Sequence, residues 1–513
     1  MNEPNGTQIE GNYQTAAVKI GEKLEKMLDN FRIFGLGCIL YGIFFMICLY
    51  KGFHGISLPI LSAVTMGYLV WGFRYLDIKV KKCTWFYFAA WEILSISNCL
   101  TGNPVIIFFN VCGMILLFLS FLLTHFCNTA KWGFGKYLGE MFVTPFVTLC
   151  YLGYPFKAVS KYFTKREKGK SATAKYVWLG IIISIPLLLV IVGLLVSADA
   201  VFRSLFVTIF SDILFPEYPL RMGLLFITGS IGFYSLLAYF ADGQIKDAVA
   251  EKNKWEPVVG ITFLSIITVV YLIFSVIQIS YLFLGSFTLP DGYTYAAYAR
   301  EGFFQLLFVC MINLVIILIC VSRFRENMAL KIILTLFSCC TYIMIASSAM
   351  RMILYIESYQ LTFLRLLVLW ALIVISILLL GCIITIYKNQ FPLFQYATAA
   401  VAILYILFSL GKPDYLIAKY NLTYDIDRVD LYYLSNLSTD AIPAMEEAGV
   451  LTSIDKRLGH MKRKDSKSSN QDMAYTRNLK RKVDSYDEMG ILDFNFSYYE
   501  GGKILKNYKY IKE

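Results

Sequence analysis

The stretch "LTFLRLLVLWALIVISILLLGCIITIY" occupies residues 361–387 and contains a single charged side chain, Arg365. A helix rises 1.5 Å per residue and a hydrocarbon core is about 30 Å thick, so about 20 apolar residues suffice to cross it. This stretch is therefore long enough to span a membrane. Similar stretches recur between Phe31 and Leu410 of the 513-residue chain. The sequence thus predicts an all-α integral membrane protein.

The overall composition agrees with a membrane protein that has many spans. Hydrophobic residues make up 58% of the chain and charged residues 16%, whereas soluble domains usually carry about 25% charged residues. We predict about 11 transmembrane helices, within a range of about 10 to 12. Their approximate cores are 31–50, 55–75, 83–98, 103–124, 177–197, 221–241, 257–285, 303–321, 329–352, 361–387 and 392–410.

The charges of the connecting segments predict how these spans are oriented. With a cytoplasmic N-terminus, the inner segments contain 24 Lys and Arg, and the outer segments before residue 411 contain 6. Cytoplasmic loops are the ones enriched in Lys and Arg. An odd number of spans then places the C-terminus outside, in a multi-pass protein of the cell membrane. The net charge of +11 is explained by these basic cytoplasmic segments. The lipid bilayer is therefore the expected partner, and no nucleic-acid partner is expected.

Five regions follow from these patterns. Segment 137–156 is long enough to span, but its flanks are basic on both sides, which favours a segment that returns to the cytoplasm. The regions are a cytoplasmic amphipathic N-terminal segment (1–30), the first membrane helices (31–130), an interfacial or re-entrant segment with a basic cytoplasmic loop (131–176), a second membrane bundle (177–410) and a small, mostly helical extracytoplasmic C-terminal domain (411–513).

The C-terminal region carries local signals for helix starts. Asp440 precedes a proline-containing helical pattern and is predicted to be its N-cap. Ser497 and Glu500 have the spacing of a capping box. Two glycines follow directly, and because glycine weakens a helix, segment 494–511 is predicted to be either a helix or a hairpin.

Glu92 is the carboxylate that lies deepest in a predicted span. It lies six residues before the 98–103 turn, and Asn110 lies seven residues after that turn on the returning helix. At 1.5 Å per residue the two side chains have similar depth. We therefore predict an intramembrane polar pair, Glu92 with Asn110. Such an acid either ties two helices together in its neutral form or takes part in ion or proton movement.

The outer ends of the spans are rich in arginine. Before residue 411 the outer segments contain five Arg and one Lys, whereas the inner segments contain 5 Arg and 19 Lys. Arginine binds carboxylate or phosphate with two parallel hydrogen bonds, which lysine cannot do. Two readings remain open: a ring of ion pairs that fixes helix ends, or an anion-binding vestibule for a lipid head group or envelope polymer. The candidate residues are Asp199, Arg203, Arg300, Glu301, Arg351, Glu357 and Arg365.

Specific pairs are expected within this outer polar site. Asp199 and Arg203 are four residues apart, the favourable spacing and order for a helical ion pair. Neighbouring residues on a helix point about 100° apart, so Arg300 and Glu301 need different partners. We expect Arg300 to meet Asp199 or Glu357, and Glu301 to meet Arg351.

The sequence predicts no catalytic residue, no metal site and no cofactor. The three histidines are scattered, and the 12 cysteines include no pair with the spacing of a metal or redox motif. Polytopic glycosyltransferases carry an acidic motif in the first outer loop, but that loop, residues 51–55, has no carboxylate.

Five segments are informative when they are taken together and in order: "SADAVF" (197–202), "YAREGFFQLL" (298–307), "LIAKYN" (416–421), "YLSNLSTDAIPAM" (433–445) and "FNFS" (494–497). They resemble a bacterial family of polytopic membrane proteins catalogued as domain of unknown function 4173, which is related to domain of unknown function 4153. The resemblance covers roughly residues 175–513 and implies a bacterial cell-membrane protein without an established activity.

Three functional hypotheses are compatible with the sequence. The first is a non-enzymatic membrane protein that senses or binds an envelope component or lipid and acts with partner proteins. The second is a transporter, with Glu92 and the outer arginines on its path. The third is an envelope-modifying membrane enzyme, for which no catalytic residues are apparent.

Overall fold

The structure is a computed structural model. It describes residues 21–127, 129, 132–166, 180, 184, 187–188, 191–192, 194–196, 198–210, 219–243, 245, 255–280, 302–388, 391–424, 430–463 and 470–512.

The described residues are almost entirely helical. The helices up to residue 410 are α1 (Glu22–Asp29), α2 (Phe31–Leu49), α3 (Ser57–Tyr75), α4 (Thr84–Leu100), α5 (Pro104–Phe126), α6 (Phe134–Leu149), α7 (Tyr154–Arg166), α8 (Ala200–Phe210), α9 (Pro219–Ile227), α10 (Phe233–Asp242), α11 (Pro257–Gln278), α12 (Phe303–Arg323), α13 (Met328–Tyr359), α14 (Phe363–Tyr387) and α15 (Leu393–Leu410). A π-helical segment, Thr228–Gly232, joins α9 to α10.

The remaining helices, which we call the C-terminal helices, follow the last long apolar helix. They are α16 (Pro413–Tyr424), α17 (Leu431–Asn436), α18 (Ile442–Glu447), α19 (Val450–Arg463), α20 (Asn470–Asp487), α21 (Phe496–Leu505) and α22 (Lys509–Lys512). Segment 494–511 therefore folds as helices and not as a hairpin. Within the residues that the structure describes there is no β-strand, only an isolated bridge between Trp255 and Phe324.

Eight of the described helices are long and apolar enough to cross a membrane: α2, α5, α9–α10 as one unit, α11, α12, α13, α14 and α15. The chain is therefore an all-α, membrane-embedded protein. The predicted total of about 11 is not established by these eight. The predicted spans 55–75 and 83–98 are the helices α3 and α4, which are not among the eight, and span 177–197 lies mostly outside the described residues.

Several helix starts follow directly from local capping chemistry. The Asn103 side chain accepts hydrogen bonds from the backbone N–H groups of Val105 and Ile106, at 2.9 and 3.1 Å, and proline follows at the first helical position of α5. Asn327 caps α13 in the same way. Asparagine satisfies the free N–H groups of a first turn, and proline there lacks the N–H that would be left over.

The C-terminal helices pack against one end of the bundle, which we call the tail end. The side chain of Asn495 donates to the carbonyl oxygens of His54 and Thr101, which lie in the α2–α3 and α4–α5 turns. Asn421 exchanges two hydrogen bonds with the backbone of Leu361, in the α13–α14 turn. Three turns of the bundle therefore meet the C-terminal helices at the same end.

The N-terminal helix lies at the opposite end of the bundle. The Gly21 N–H donates to Asp242, the last residue of α10, at 2.9 Å. Lys26 forms an ion pair with Asp77, in the turn that follows α3. The Trp255–Phe324 bridge also lies at this end, because it connects the segment before α11 to the residue after α12.

The segment predicted to be re-entrant begins and ends at this opposite end. Near the start of α6, the Tyr137 ring stacks on Phe394, the second residue of α15, with 3.7 Å between ring centroids. After α6, the Tyr151 hydroxyl donates to Asp242 at 2.8 Å. Both ends of segment 137–156 thus contact the same end of the bundle, and its return without crossing the membrane stays a prediction.

The buried side chains form two hydrophobic clusters. The first comes mainly from α1–α7 and α10, with two residues of α15. The second comes from α11–α14 and the C-terminal helices. Residues 219–242 therefore pack with the first membrane helices, whereas the sequence pattern had grouped them with the second bundle. The reason is contact across the π segment, where Gly229 and Ser230 lie directly against Phe45 and Gly42 of α2.

Candidate functional site at the junction of the bundle and the C-terminal helices

Two members of the predicted outer polar site, Arg300 and Glu301, lie outside the described residues. Asp199 and Arg203 are exposed, and their side chains bond to nearby backbone groups. The Asp199 carboxylate accepts the Phe202 N–H at 2.6 Å, and Arg203 Nε donates to the Val196 carbonyl at 2.9 Å. Both side chains therefore stabilise the backbone around the start of α8.

Arg351 is the buried member of the predicted outer site, with 8% of its surface exposed. Its guanidinium donates to the Gln278 side-chain oxygen at 3.4 Å, and Ser347 donates to the same oxygen at 2.5 Å. Gln278 ends α11, so Arg351 and Ser347 connect α13 to α11. With 32 residues, α13 is about 48 Å long and exceeds a hydrocarbon core.

Arg365 and Glu357 complete the described part of this site. The Arg365 guanidinium lies 4.1 Å from the Tyr355 ring centroid and donates to the carbonyl oxygens of Tyr359 and Gln360, the former at 2.7 Å. Glu357 is exposed. Ser347, Arg351 and Tyr355 thus form a stripe on α13 whose partners are Gln278 and Arg365.

The predicted direct pair of Glu92 and Asn110 is not formed. Glu92 is hydrogen-bonded to Ser62 of α3. Asn110 donates to the Asn98 side-chain oxygen at 2.7 Å and accepts from Ser409 of α15 at 2.9 Å. Glu92 and Asn98 are six residues apart, so they point about 120° away from each other around α4. Glu92 and Asn110 therefore have similar depth, but Glu92 lies on a different face of α4 from the one that Asn110 contacts.

The densest polar contacts between the bundle and the C-terminal helices centre on Asn495. It is the N-cap of α21, and its side-chain nitrogen lies 2.9 Å from the carbonyl oxygens of His54 and Asn98 and 3.0 Å from that of Thr101. Asn495 is fully buried. It therefore holds the start of α21 against two turns of the bundle, and the predicted capping box of Ser497 and Glu500 is wrong.

Asp440 makes the second polar contact at this junction. One carboxylate oxygen, Oδ2, accepts hydrogen bonds from the Thr101 hydroxyl at 2.5 Å and the Gly102 N–H at 3.2 Å. It also accepts the Ser438 hydroxyl at 3.3 Å. Asp440 does not cap α18, as the sequence predicted, because its carboxylate is engaged by the α4–α5 turn.

Asp414, near the start of α16, makes the third contact. Its Oδ2 accepts the Asn103 side-chain N–H at 3.0 Å and the Ser438 backbone N–H at 2.9 Å. Asp414 is 2% exposed and Asp440 is 3% exposed. In both residues the other oxygen, Oδ1, is buried and has no hydrogen-bond partner. Burial raises the pKa of Asp414, and the nearby Asp440 charge adds to this effect.

Lys482 of α20 is a cation that both carboxylates attract. Its ammonium donates to the buried Ser435 carbonyl at 2.9 Å. Burial lowers the pKa of Lys482 to about 8, opposed by attraction to Asp414 and Asp440. Since neither carboxylate lies within the 4.0 Å of an ion pair with it, Lys482 leaves both Oδ1 atoms uncovered.

Glycines permit this close approach of helix and turn. A Cβ atom at Gly102 would lie 2.2 Å from the Thr439 hydroxyl oxygen, and one at Gly502 would lie 2.3 Å from Tyr486 Cβ. Neither distance is compatible with a side chain. Gly502 of α21 is therefore required by the packing of this helix on α20, and Gly102 by the packing of the α4–α5 turn on Thr439.

Sequence reasoning missed this junction, although part of its signal was present. Asp414, Asp440 and Asn495 all lie in or beside the quoted segments 416–421, 433–445 and 494–497. The sequence did not show their common partner, which is the turn at residues 101–103, more than 300 residues away. Gln278, the partner of Arg351, was missed because it ends an otherwise apolar helix.

The described residues of the membrane part also enclose two large apolar cavities. The first, of about 460 Å³, lies between α2, α3, α4, α5 and the π segment, and the second, of about 470 Å³, lies between α5, α6, α14 and α15. Ser62, the partner of Glu92, lines the first cavity. Trp370 and Tyr405 line the second. Both volumes fall within the range of about 300–1,000 Å³ that is usual for ligand pockets.

Fold and site together define a multi-pass, all-helical integral membrane protein with a helical region packed on one end of its bundle. A family model described as "Domain of unknown function (DUF4153)" matches residues 88–448, well over half of the chain, so the protein belongs to this family. The further relation to domain of unknown function 4173 stays a prediction. Neither a curated protein nor a solved structure matches the chain.

Proposed function

We propose that this protein is a non-enzymatic component of the cell membrane that binds an envelope lipid within the bilayer and acts together with partner proteins. The single observation that carries the proposal is the 460 Å³ cavity between α2, α3, α4, α5 and the π segment. Its walls are almost entirely apolar, so the occupant that fits is an acyl or isoprenoid chain. π-Helical turns inside α-helices are frequent at functional sites, and this one lines the cavity.

The same proposal includes an orientation in which the C-terminal helices face the extracytoplasmic side. It rests on the loop charges, since 24 of the 30 Lys and Arg before residue 411 belong to inner segments. The tail end of the bundle then faces outward. A lipid that enters the cavity would press on α3 and α4, whose turns hold the C-terminal helices through Asn495.

An anionic head group is the ligand class that we propose for the outer polar site, which includes Asp199, Arg203, Arg300, Glu301, Arg351, Glu357 and Arg365. The competing role, fixation of helix ends, is favoured for Arg365 by its two contacts to backbone carbonyls. A transporter of a polar solute, the second hypothesis, receives less support because both membrane cavities are apolar.

The test is to fill the cavity. A Cβ atom at Gly232, which lines it, would have no neighbour closer than 3.8 Å. Its backbone is helical, with φ −62° and ψ −45°, so Gly232→Leu should fold and occupy the space. We expect native mass spectrometry of the protein, extracted with its membrane lipids, to show a several-fold loss of retained lipid.

The matched control is Gly67→Leu. Gly67 is an exposed helical glycine on α3 with open space around its Cβ position, and it does not line the cavity. This variant should retain lipid as the unmodified protein does. Equal lipid retention by the Gly232→Leu and Gly67→Leu variants, with both proteins folded, would refute lipid binding in this cavity.

A further inference from the structure

The junction contains two buried carboxylates whose hydrogen bonds are unevenly distributed. Asp440 Oδ2 accepts three hydrogen bonds and Asp414 Oδ2 accepts two, whereas Oδ1 of each residue accepts none and is inaccessible to solvent. A buried polar atom without a partner is costly, by about 1–3 kcal/mol or more for a charged group. A further group that interacts with the two Oδ1 atoms would therefore stabilise the junction.

All five hydrogen bonds are donated to carboxylate oxygens. Hydrogen bonds donated to a carboxylate stabilise its anion. Two adjacent anions then face one ammonium, Lys482, whose bond to the Ser435 carbonyl keeps it more than 4.0 Å from both of them. Buried charges are normally paired or bound to metal ions. Charge and hydrogen bonding thus both favour a positive partner at the Oδ1 atoms.

We propose that Asp414 Oδ1 and Asp440 Oδ1 bind a hard divalent cation, Ca²⁺, which fastens the C-terminal helices to the α4–α5 turn. Ca²⁺ takes oxygen ligands in flexible geometry and accepts carboxylates, hydroxyls, carbonyls and water together. The groups around this site are of that kind, including the hydroxyls of Ser438, Thr439 and Ser497. The described residues contain no cluster of three or more His, Cys, Asp or Glu, so the ligands beside the two carboxylates would be hydroxyl, carbonyl or water oxygens.

The first experiment measures thermal unfolding of the full-length protein in detergent, with EDTA and with CaCl₂ at about 1 mM, the range of extracellular calcium sites. Ligand that binds only the folded state raises its melting temperature. We expect a rise of a few degrees with Ca²⁺. Asp414→Asn and Asp440→Asn keep an acceptor oxygen for the existing donors, and each should abolish this rise.

Asp430→Asn is the matched control. Asp430 caps α17 by accepting the Tyr433 N–H at 3.0 Å, and asparagine is an equally good N-cap. The same change of charge in the same region should therefore leave the Ca²⁺ response intact. Loss of the response in this variant as well would show that the effect is general electrostatics and would overturn the site.

Lys482→Met distinguishes the cation from the alternative, a proton shared by the two aspartates. The Lys482 ammonium repels a bound cation, so its removal should tighten Ca²⁺ binding measured by equilibrium dialysis, by several-fold. If instead Ca²⁺ neither binds nor stabilises any variant, and the unmodified protein becomes more stable on mild acidification, the pair shares a proton and the proposal is wrong.

Discussion

Asn495 and Thr101 are 394 residues apart in the chain, yet the side-chain nitrogen of the first lies 3.0 Å from the carbonyl oxygen of the second. The same nitrogen reaches His54 and Asn98, and the side-chain oxygen caps α21 by accepting the Tyr498 N–H. One buried amide therefore joins two turns of the membrane bundle to the start of a C-terminal helix. A substitution of Asn495 would therefore break both the contacts to the bundle and the cap of α21.

Asn495→Ala should detach α21 from the bundle. The change removes a helix cap, worth about 1 kcal/mol, and leaves buried carbonyls without their donor, at about 1–3 kcal/mol each. We expect a local loss on the order of 4 kcal/mol or more, visible as faster proteolysis of the C-terminal helices in the purified protein.

Asn436→Ala serves as the comparison. Asn436 is exposed, and its side chain bonds to Tyr432 of its own helix and to Asn478. Proteolysis of this variant should resemble that of the unmodified protein. If both variants are cut equally fast, the Asn495 contacts do not hold the junction.

Local sequence signals were reliable where the structure is local. Apolar length identified the long helices, because it depends on neighbouring residues, whereas the return of segment 137–156, inferred from its basic flanks, stays a prediction. Asp440 shows the limit: its spacing before a proline is that of an N-cap, but Thr101 and Gly102 engage its carboxylate. A contact across 338 residues leaves no trace in either local pattern.

Asn110 and Ser409 should be energetically coupled. Ser409 donates to Asn110 at 2.9 Å and is also bonded to Ser97 at 2.6 Å, so this contact ties α15 to the α4–α5 hairpin. Hydrogen bonds between membrane helices typically contribute about 0.6 kcal/mol, and up to about 1.7 kcal/mol. A double-mutant cycle with Asn110→Ala and Ser409→Ala should therefore give a coupling of about 1 kcal/mol. Additive effects of the two changes would contradict a direct bond.

Glu92 should tolerate loss of its ionisable group but not a change to a cation. Its contact is the Ser62 hydroxyl, which glutamine can also bond. Glu92→Gln is expected to reach the membrane fraction at normal levels. A cation in the middle of a span costs about 3 kcal/mol on insertion scales, so Glu92→Lys should be strongly depleted there. Normal levels of Glu92→Lys would indicate that this part of α4 contacts water.

The orientation can be tested with an epitope tag after Glu513. Loop charge predicts that the C-terminal helices are extracytoplasmic, so protease added to intact protoplasts should remove the tag. A tag after Met1 should be cut only after lysis. A C-terminal tag that is cut only after lysis would mean that the C-terminal helices face the cytoplasm, and segment 137–156 would then be the span to re-examine.

Lys482 should make stability depend on pH in alkaline solution. Its pKa is about 8 in the folded protein, against an ordinary value of 10.5. Between these values the unfolded chain binds the proton that the folded protein has released, so stability rises with pH across this window. Below pH 8 the ammonium is present in both states and its burial cost is fully felt.

Lys482→Met removes this group, and the melting temperature in EDTA should then lose part of its rise between about pH 8 and pH 10.5. Lys503→Met, which removes an exposed lysine from α21, should keep that rise. An identical pH profile for the two variants would show that the Lys482 ammonium is solvated in the folded protein.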